Sequence, residues 1–410
     1  MKYSQIISSL AESATLGIAK KVRQLTAEGR NVIGLTLGEP DADTPVHIRE
    51  AAKKALDDGF THYPPVSGYA NLREAIANKL KRENGLDYKA DQIVVSTGAK
   101  QSLYNVILAV LNPGDGTILP APYWVSYEAM FHLAQAETTI IPTDVSSDYK
   151  ITPAQLEAAI QPHTRLFILT SPSNPTGSMY SREELTGLVE VLEKHPNVLI
   201  ISDEIYEHMT FGKEHISIGT FPSVADRVII VNGFSKGYAM TGWRLGYIAA
   251  PKEIADLTEK LQGQSTSGAT AFAQIGAVAA LNGPQDTVIA MRDEFHRRRD
   301  LVYEKLCAID GLKVNLPDGA FYFYPDLRAF LGAETPSGEI IKDIDELCLY
   351  LLDSEGLAVV PGSAFGTDSH IRLSYAYAND VLEDGIGRLT RALRALKVNI
   401  PQTSSIGKTE

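Results

Sequence analysis

Several stretches of the 410-residue chain place reactive side chains directly after short apolar runs. In "IIVNGFSKGYAMTGWRLGY" (229–247), Lys236 stands among Gly233, Ser235 and Gly237, and Arg244 follows eight residues later. A lysine among small and apolar neighbours, with no carboxylate close behind it, has its charged form disfavoured. Its pKa falls, which suits Schiff-base chemistry with a carbonyl. The ordinary alternative is a solvated loop lysine. Asp203 follows "VLIIS" and precedes "EIYEHM". It reads either as a helix N-cap or as a buried carboxylate facing a cationic ring nitrogen. Asn174-Pro175-Thr176-Gly177 is a turn sequence that also offers an amide to a ring hydroxylate or a carboxylate. In "STGAKQSLYN" (96–105) a strand runs into a helix. There Gly98 and Ala99 let an anion such as a phosphate approach the first N–H groups, although a plain strand-to-helix turn has the same look. Arg372, in the apolar "HIRLSYA", is either an edge-strand arginine or a bidentate clamp for a carboxylate.

These residues need elements to hold them. Strand-like runs fall at 31–37, 92–96, 117–120, 138–142, 165–171, 198–202 and 227–232, nearly continuous in apolar residues, as in strands covered on both faces. Amphipathic helical patterns at 46–58, 70–84, 100–111 and 182–195 lie between them. The alternation predicts an α/β domain with a mostly parallel sheet. In such sheets ligands collect beyond the carboxyl ends of the strands. Gly98 to Lys100, Ser171 to Gly177, Asp203 and Ser235-Lys236 all occupy that place. After residue 284 the pattern changes to a long charged helix (286–309), short strands (319–325, 357–360, 371–374) and helices near 338–354 and 377–396. The expected organisation is an N-terminal segment (1–44) joined to a small α+β domain (285–398), a large domain (45–284) and a flexible polar tail (399–410).

Composition narrows the function. With 44% hydrophobic and 21% charged residues the chain is globular. A net charge of −12 argues against nucleic acid and anionic membranes as partners. Cys307 and Cys348 form no CxxC and imply no disulfide framework, so a reducing cytoplasm is expected. No apolar leader or membrane-length run is present. "GFSKG" (233–237) fits the G-x-S-x-G elbow of serine hydrolases, and Asp343 or Asp345 and then His370 follow in the right order, but an HGG-type oxyanion segment is lacking. "IGKT" (406–409) has Gln402 where a phosphate loop needs glycine, and the nine histidines show no metal spacing, so no metal is expected.

Taken together, "LGEPDADTP" (37–45), "HYPPVSGYANLREAI" (62–76), "APYWVSYEAM" (121–130), "SPSNPTG" (171–177), "SDEIYEHM" (202–209), "FSKGYAMTGWRLGY" (234–247) and "IRLSYA" (371–376) resemble the class I/II aminotransferases, pyridoxal-phosphate enzymes of fold type I. The resemblance covers about residues 13 to 396. It is nearest to the bacterial-type aspartate aminotransferases through "ESAT" (12–15), "TGAKQSLYN" (97–105) and "PYWVSY" (122–127). It implies a large domain with a mostly parallel seven-stranded sheet flanked by helices, plus a small α+β domain. It also implies that Lys236 carries pyridoxal 5'-phosphate and moves the substrate proton, and that Asp203 pairs with the ring nitrogen. Tyr206 and Asn174 would bond the phenolic oxygen, and Trp124 would stack on the ring. Gly98, Ala99, Lys100, Ser235 and Arg244 would hold the phosphate. Tyr63 would reach the phosphate of a second subunit, making a homodimer with shared sites. Arg372 would clamp the α-carboxylate with Asn174, Gly38 and Trp124. Lys100, with Ser13 and Thr15, would take the distal carboxylate of a dicarboxylic substrate, since a buried cation needs a partner. The implied reaction is ping-pong transfer of an amino group from L-aspartate to 2-oxoglutarate. Aromatic transamination or C–S lysis on the same fold is the alternative, with a Ser235 hydrolase or a non-catalytic binding protein further off. Gly233 stands where many relatives have a phosphate-binding serine. Ala11-Glu12 replaces a basic residue and proline that one subgroup links to prephenate, which argues against prephenate here.

Overall fold

The computed structural model describes residues 3–10 and 14–398, and for residues 14–16 and 19 the backbone alone. Ser13, the Ala11-Glu12 pair and the tail expected at 399–410 lie outside the described residues. So does the side chain of Thr15, whose backbone belongs to a helix over Ala14–Ala27.

The first strand, β1 (Ile33–Gly34), lies apart from the main sheet. That sheet contains β2 (Ile93–Ser96), β3 (Gly116–Ala121), β4 (Glu137–Pro142), β5 (Thr164–Thr170), β6 (Leu199–Asp203), β7 (Val228–Gly233) and β8 (Gly246–Ala249), in the order β2-β8-β7-β6-β5-β3-β4. All neighbours are parallel except β8, which runs antiparallel to both β2 and β7. Side chains alternate between two cores, as a strand's two-residue period demands. Ile93, Val95, Phe167, Ile200 and Ile230 face one core, with the helices over Val46–Asp57, Ala70–Asn84, Arg182–Leu192 and Ala271–Asn282. Val94, Leu166, Ile168, Ile201 and Val231 face the other, with Ala99–Val110, Ser126–Leu133 and Lys252–Gly263.

The seven-stranded, mostly parallel sheet of fold type I is present, with one exchange of membership. The run at 31–37 is not one of its strands. It contributes only β1, which pairs in parallel with β10 (Leu357–Ala358). Its place is taken by β8, whose "GYIA" is only four residues long, with the strand formers Tyr247 and Ile248 between Gly246 and Ala249, residues of weak strand preference. A third core holds β9 (Tyr322–Phe323), β11 (Val360–Pro361) and β12 (Ile371–Ser374), joined in the antiparallel order β11-β12-β9. The helices over Asp286–Cys307, Ile344–Glu355 and Asn379–Ala395 pack with them. No helix among the described residues is long and apolar enough to cross a membrane.

Candidate active site

The register of the sheet explains how distant residues meet. Ser96, Gly233 and Gly246 are paired across β2, β8 and β7, while Asp203 ends β6 and Thr170 ends β5. Four carboxyl ends and the amino end of the antiparallel β8 therefore share one sheet edge. A cavity of about 290 Å³ opens there. Gly38, Ala99, Lys100, Trp124, Asn174, Asp203, Tyr206, Ser235, Lys236, Arg244 and Arg372 all line it.

Asp203 is buried. Its Oδ2 accepts from the Tyr127 hydroxyl (2.6 Å) and its Oδ1 from the Ile205 N–H (3.3 Å). The second bond has the local, cap-like form, but a turn follows rather than an α-helix. Burial pushes its carboxyl up to about 6, against the pull of the Tyr127 bond. A cation placed opposite would reverse that cost.

Lys236 sits in the turn after β7 and donates to the Gly38 carbonyl. Its nitrogen lies 5.8 Å from the Tyr206 ring centre and 5.9 Å from that of Phe321. Burial pushes its amine down to about 8. The Arg372 and Arg244 charges act in the same direction, and Glu39 and Asp203 oppose them. The Tyr206 hydroxyl meets that of Tyr322 at 2.8 Å, and burial holds its pKa well above the phenol range.

Arg372 lies on β12, the middle strand of its sheet, so the edge-strand alternative does not apply. It donates to Asn174 Oδ1 (3.0 Å) and to the Thr36 carbonyl (2.8 Å), and its buried Nε has no hydrogen-bond partner. A buried guanidinium with neutral acceptors and a spare donor suits an added carboxylate.

At the opposite end Gly98 begins the helix over Ala99–Val110 with φ +84°. A Cβ there would lie 2.3 Å from Arg244 Nη2, so only glycine lets the guanidinium rest against the helix start. Arg244 is anchored through Nη1 to the Thr241 carbonyl (2.8 Å). Helix N–H groups, an arginine and the Ser235 hydroxyl form a donor set for a phosphate. Gly233 cannot carry the serine common in relatives, because a Cβ would come within 2.9 Å of Gly246 Cα and the Leu245 carbonyl.

Two expectations change. Lys100 is exposed rather than buried, so the argument from an unpaired buried cation does not apply. Its amine lies 4.8 Å from the Trp124 ring centre, and partial desolvation, then Arg244, lowers its pKa. The hydrolase constellation is not assembled. Asp343 caps the helix over Ile344–Glu355, Asp345 accepts from Ser363, and His370 stacks on Tyr324. No α-helix follows Ser235 directly, as a nucleophile elbow requires. Tyr63 lies outside the cavity and is 95% exposed. Gly98 stands behind the lining rather than in it. Sequence reasoning missed Tyr127, Thr170 and Tyr322, which also line the cavity. Tyr127 stands three residues after Trp124, at the start of the helix over Ser126–Leu133.

A family described as aminotransferase class I and II matches residues 30–389. Over 393 residues the chain is 46% identical to a probable aspartate/prephenate aminotransferase of Rhizobium leguminosarum bv. phaseoli, covering 95% of this chain and 98% of the relative. The crystal structure of the aspartate aminotransferase from Rhizobium meliloti superimposes with a TM-score of 0.94 at 43% identity, over 97% of this chain and 100% of that one. The Thermus thermophilus aspartate aminotransferase with maleate gives a TM-score of 0.90 at 37% identity, over 96% and 100%.

Proposed function

The chain belongs to the class I and II aminotransferases, an enzyme family of fold type I that uses pyridoxal 5'-phosphate, and from that premise we propose that it moves the amino group of L-aspartate to 2-oxoglutarate by a ping-pong route. The observation that carries this proposal is a single cavity lined by an amine of lowered pKa, a buried carboxylate without a cation and a buried arginine without an anion. The residues fit the cofactor: donors for a phosphate at Ala99, Lys100, Ser235 and Arg244, an accepting carboxylate for a positive ring nitrogen at Asp203, and donors for a ring oxygen at Tyr206 and Asn174.

What pyridoxal phosphate supplies when bound is an aldehyde for an amine and a ring able to take up the electron pair left at Cα. Lys236 would be the attachment amine and, once released, the base that accepts the Cα proton and the acid that delivers it to the carbon of the cofactor's aldehyde group. Its pKa of about 8 leaves a usable neutral fraction near neutrality. Asp203 is ionised there and balances the ring charge. Trp124 closes one face of the cavity. Arg372, with Asn174 and the Gly38 backbone, holds the α-carboxylate. Lys100, with Ser13 and Thr15, takes the distal carboxylate, in keeping with maleate, a four-carbon dicarboxylate, in the Thermus relative.

The exposed Tyr63 is consistent with a phosphate contact made across a homodimer. The two free cysteines are consistent with the cytoplasm. The change of pattern near residues 44 and 284 divides a cofactor-binding large domain from a small domain that brings Arg372. Purified enzyme with aspartate and 2-oxoglutarate tests the substrate. Lys100→Ala is expected to lower kcat/KM for aspartate roughly 10-fold, the scale of one charged hydrogen bond, and leave alanine untouched. An equal loss on both would remove the dicarboxylate assignment. Prephenate in the same assay decides whether the second activity in the Rhizobium leguminosarum relative's name extends to this chain.

A further inference from the structure

Outside the cavity, beside the turn that carries Tyr206, lies a second group of charged side chains that the reaction does not use. Lys79, in the helix over Ala70–Asn84, is 1% exposed. Its ammonium donates to Glu207 Oε1 and to Asn84 Oδ1 (2.8 Å), with Glu83 at 3.6 Å. Glu207 is buried too. It accepts from Asn84 at Oε2 (2.6 Å) and from Asn232 at Oε1 (2.6 Å). Burial opposes its ionisation, but Lys79, His208 and His215 outweigh that and hold the carboxyl far below its usual range. Glu204, Glu207 and His215 also bring ligand atoms within 4.8 Å of one another. A divalent ion there would face the Lys79 ammonium, which already serves as the cation of the group. The cluster is therefore a charge network rather than a metal centre.

The network connects two catalytic segments. Glu207 directly follows Tyr206. Asn232 ends the other side of the link, because its Oδ1 accepts from the Gly233 N–H (2.7 Å), three residues before Lys236. Gly233 has no slack, since a Cβ there would meet Gly246, Leu245 and Ile205. A displacement of Glu207 is thus passed both to Tyr206 and to the start of the Lys236 turn. We propose that Glu207, held by Lys79 and tied through Asn232 to Gly233, is a positioning residue that sets the spacing between Tyr206 and Lys236. The proposal rests on the roles given above to those two side chains.

Two variants of the holoenzyme test it: Glu207→Gln, which removes the charge, and Asn232→Ala, which leaves the ion pair intact and cuts the link to Gly233. Three quantities are read: cofactor bound per chain, the pH midpoint of the visible cofactor band, and kcat and KM for aspartate. The expected result is full cofactor binding, a midpoint moved by about half a pH unit or more, kcat lowered about 10-fold and KM changed less than about threefold. A lower melting temperature with wild-type midpoint and kcat makes Glu207 a purely structural residue and overturns the proposal. Should Glu207→Gln not fold, Asn232→Ala decides alone by the same criteria. A wild-type protein with no cofactor band and no turnover of aspartate would instead sink the functional reading itself, before either variant is compared.

Discussion

Lys79 is buried and Lys236 half-buried in the wall of the cavity, and their neighbours differ in kind. Around Lys79 stand Glu207, Glu83 and Asn84 Oδ1, so the ammonium has carboxylates beside it. Around Lys236 stand a backbone carbonyl, two aromatic rings and, further off, two arginines set against Glu39 and Asp203, neither of which is ion-paired with it. The first environment rewards the charged form and turns a lysine into a strut. The second penalises it and turns the same side chain into a reactive amine. The side chain alone decides nothing; a carboxylate in direct contact, present at Lys79 and lacking at Lys236, does.

That contrast breaks most visibly at Lys236. Lys236→Ala is expected to lower transamination of aspartate by about 10⁴-fold, the scale of a lost proton-transfer group, while the fold persists. Steady-state assay with a circular dichroism control checks both halves. At Lys79 the larger loss should appear in stability, beside the smaller effect on kcat expected for Glu207. Glu207→Ala leaves a buried ammonium without its partner and is expected to cost about 3–5 kcal/mol in denaturant unfolding. The paired change Lys79→Met with Glu207→Leu should come within about 2 kcal/mol of wild type. Equal losses in the single and paired variants would mean that the charges are not coupled as the geometry indicates.

A smaller effect sharpens the comparison through pH. The pKa of Lys236 is about 8 in the fold, against 10.5 ordinarily. Below pH 8 the folded apoprotein carries the full cost of that charge. As pH rises from 8 towards 10.5 the folded state has released the proton while the unfolded chain still holds it, so stability should rise, on the order of 3 kcal/mol. Lys236→Met should flatten that rise. A variant that keeps the wild-type slope would assign it to another group.

Much of the site was legible because its residues sit in the turns after apolar runs. Lys236, Asp203 and Asn174 were candidates from that position, each with an ordinary alternative, and only their combination with the other motifs pointed to one chemistry. Lys79 could not, since "ANKLKREN" reads as a solvated helix end. Yet its place was available in the phase of the helix: residue 79 follows Leu72, Ala75 and Ile76 by seven, four and three positions and shares their buried face. The exposure of Lys100 was not legible, because a helix start gives no sign of how far a long side chain reaches into solvent. Nor was β8, because Tyr247 and Ile248 stand alone between Gly246 and Ala249, too short a run to read as a strand until it is paired with β2 and β7. The run at 31–37 failed for the converse reason. Its apolar pattern is genuine, but most of it serves the small core, where two residues are enough to pair with β10.

The account stands on one ε-amine that is free to bond the cofactor. Borohydride reduction of the holoenzyme, followed by digestion and peptide mass analysis, tests this most directly. One pyridoxyl phosphate added per chain, on the peptide that carries Lys236 and abolished in Lys236→Ala, is the predicted result. A label on Lys79, Lys100 or no lysine at all, in a preparation that still converts aspartate, would contradict it.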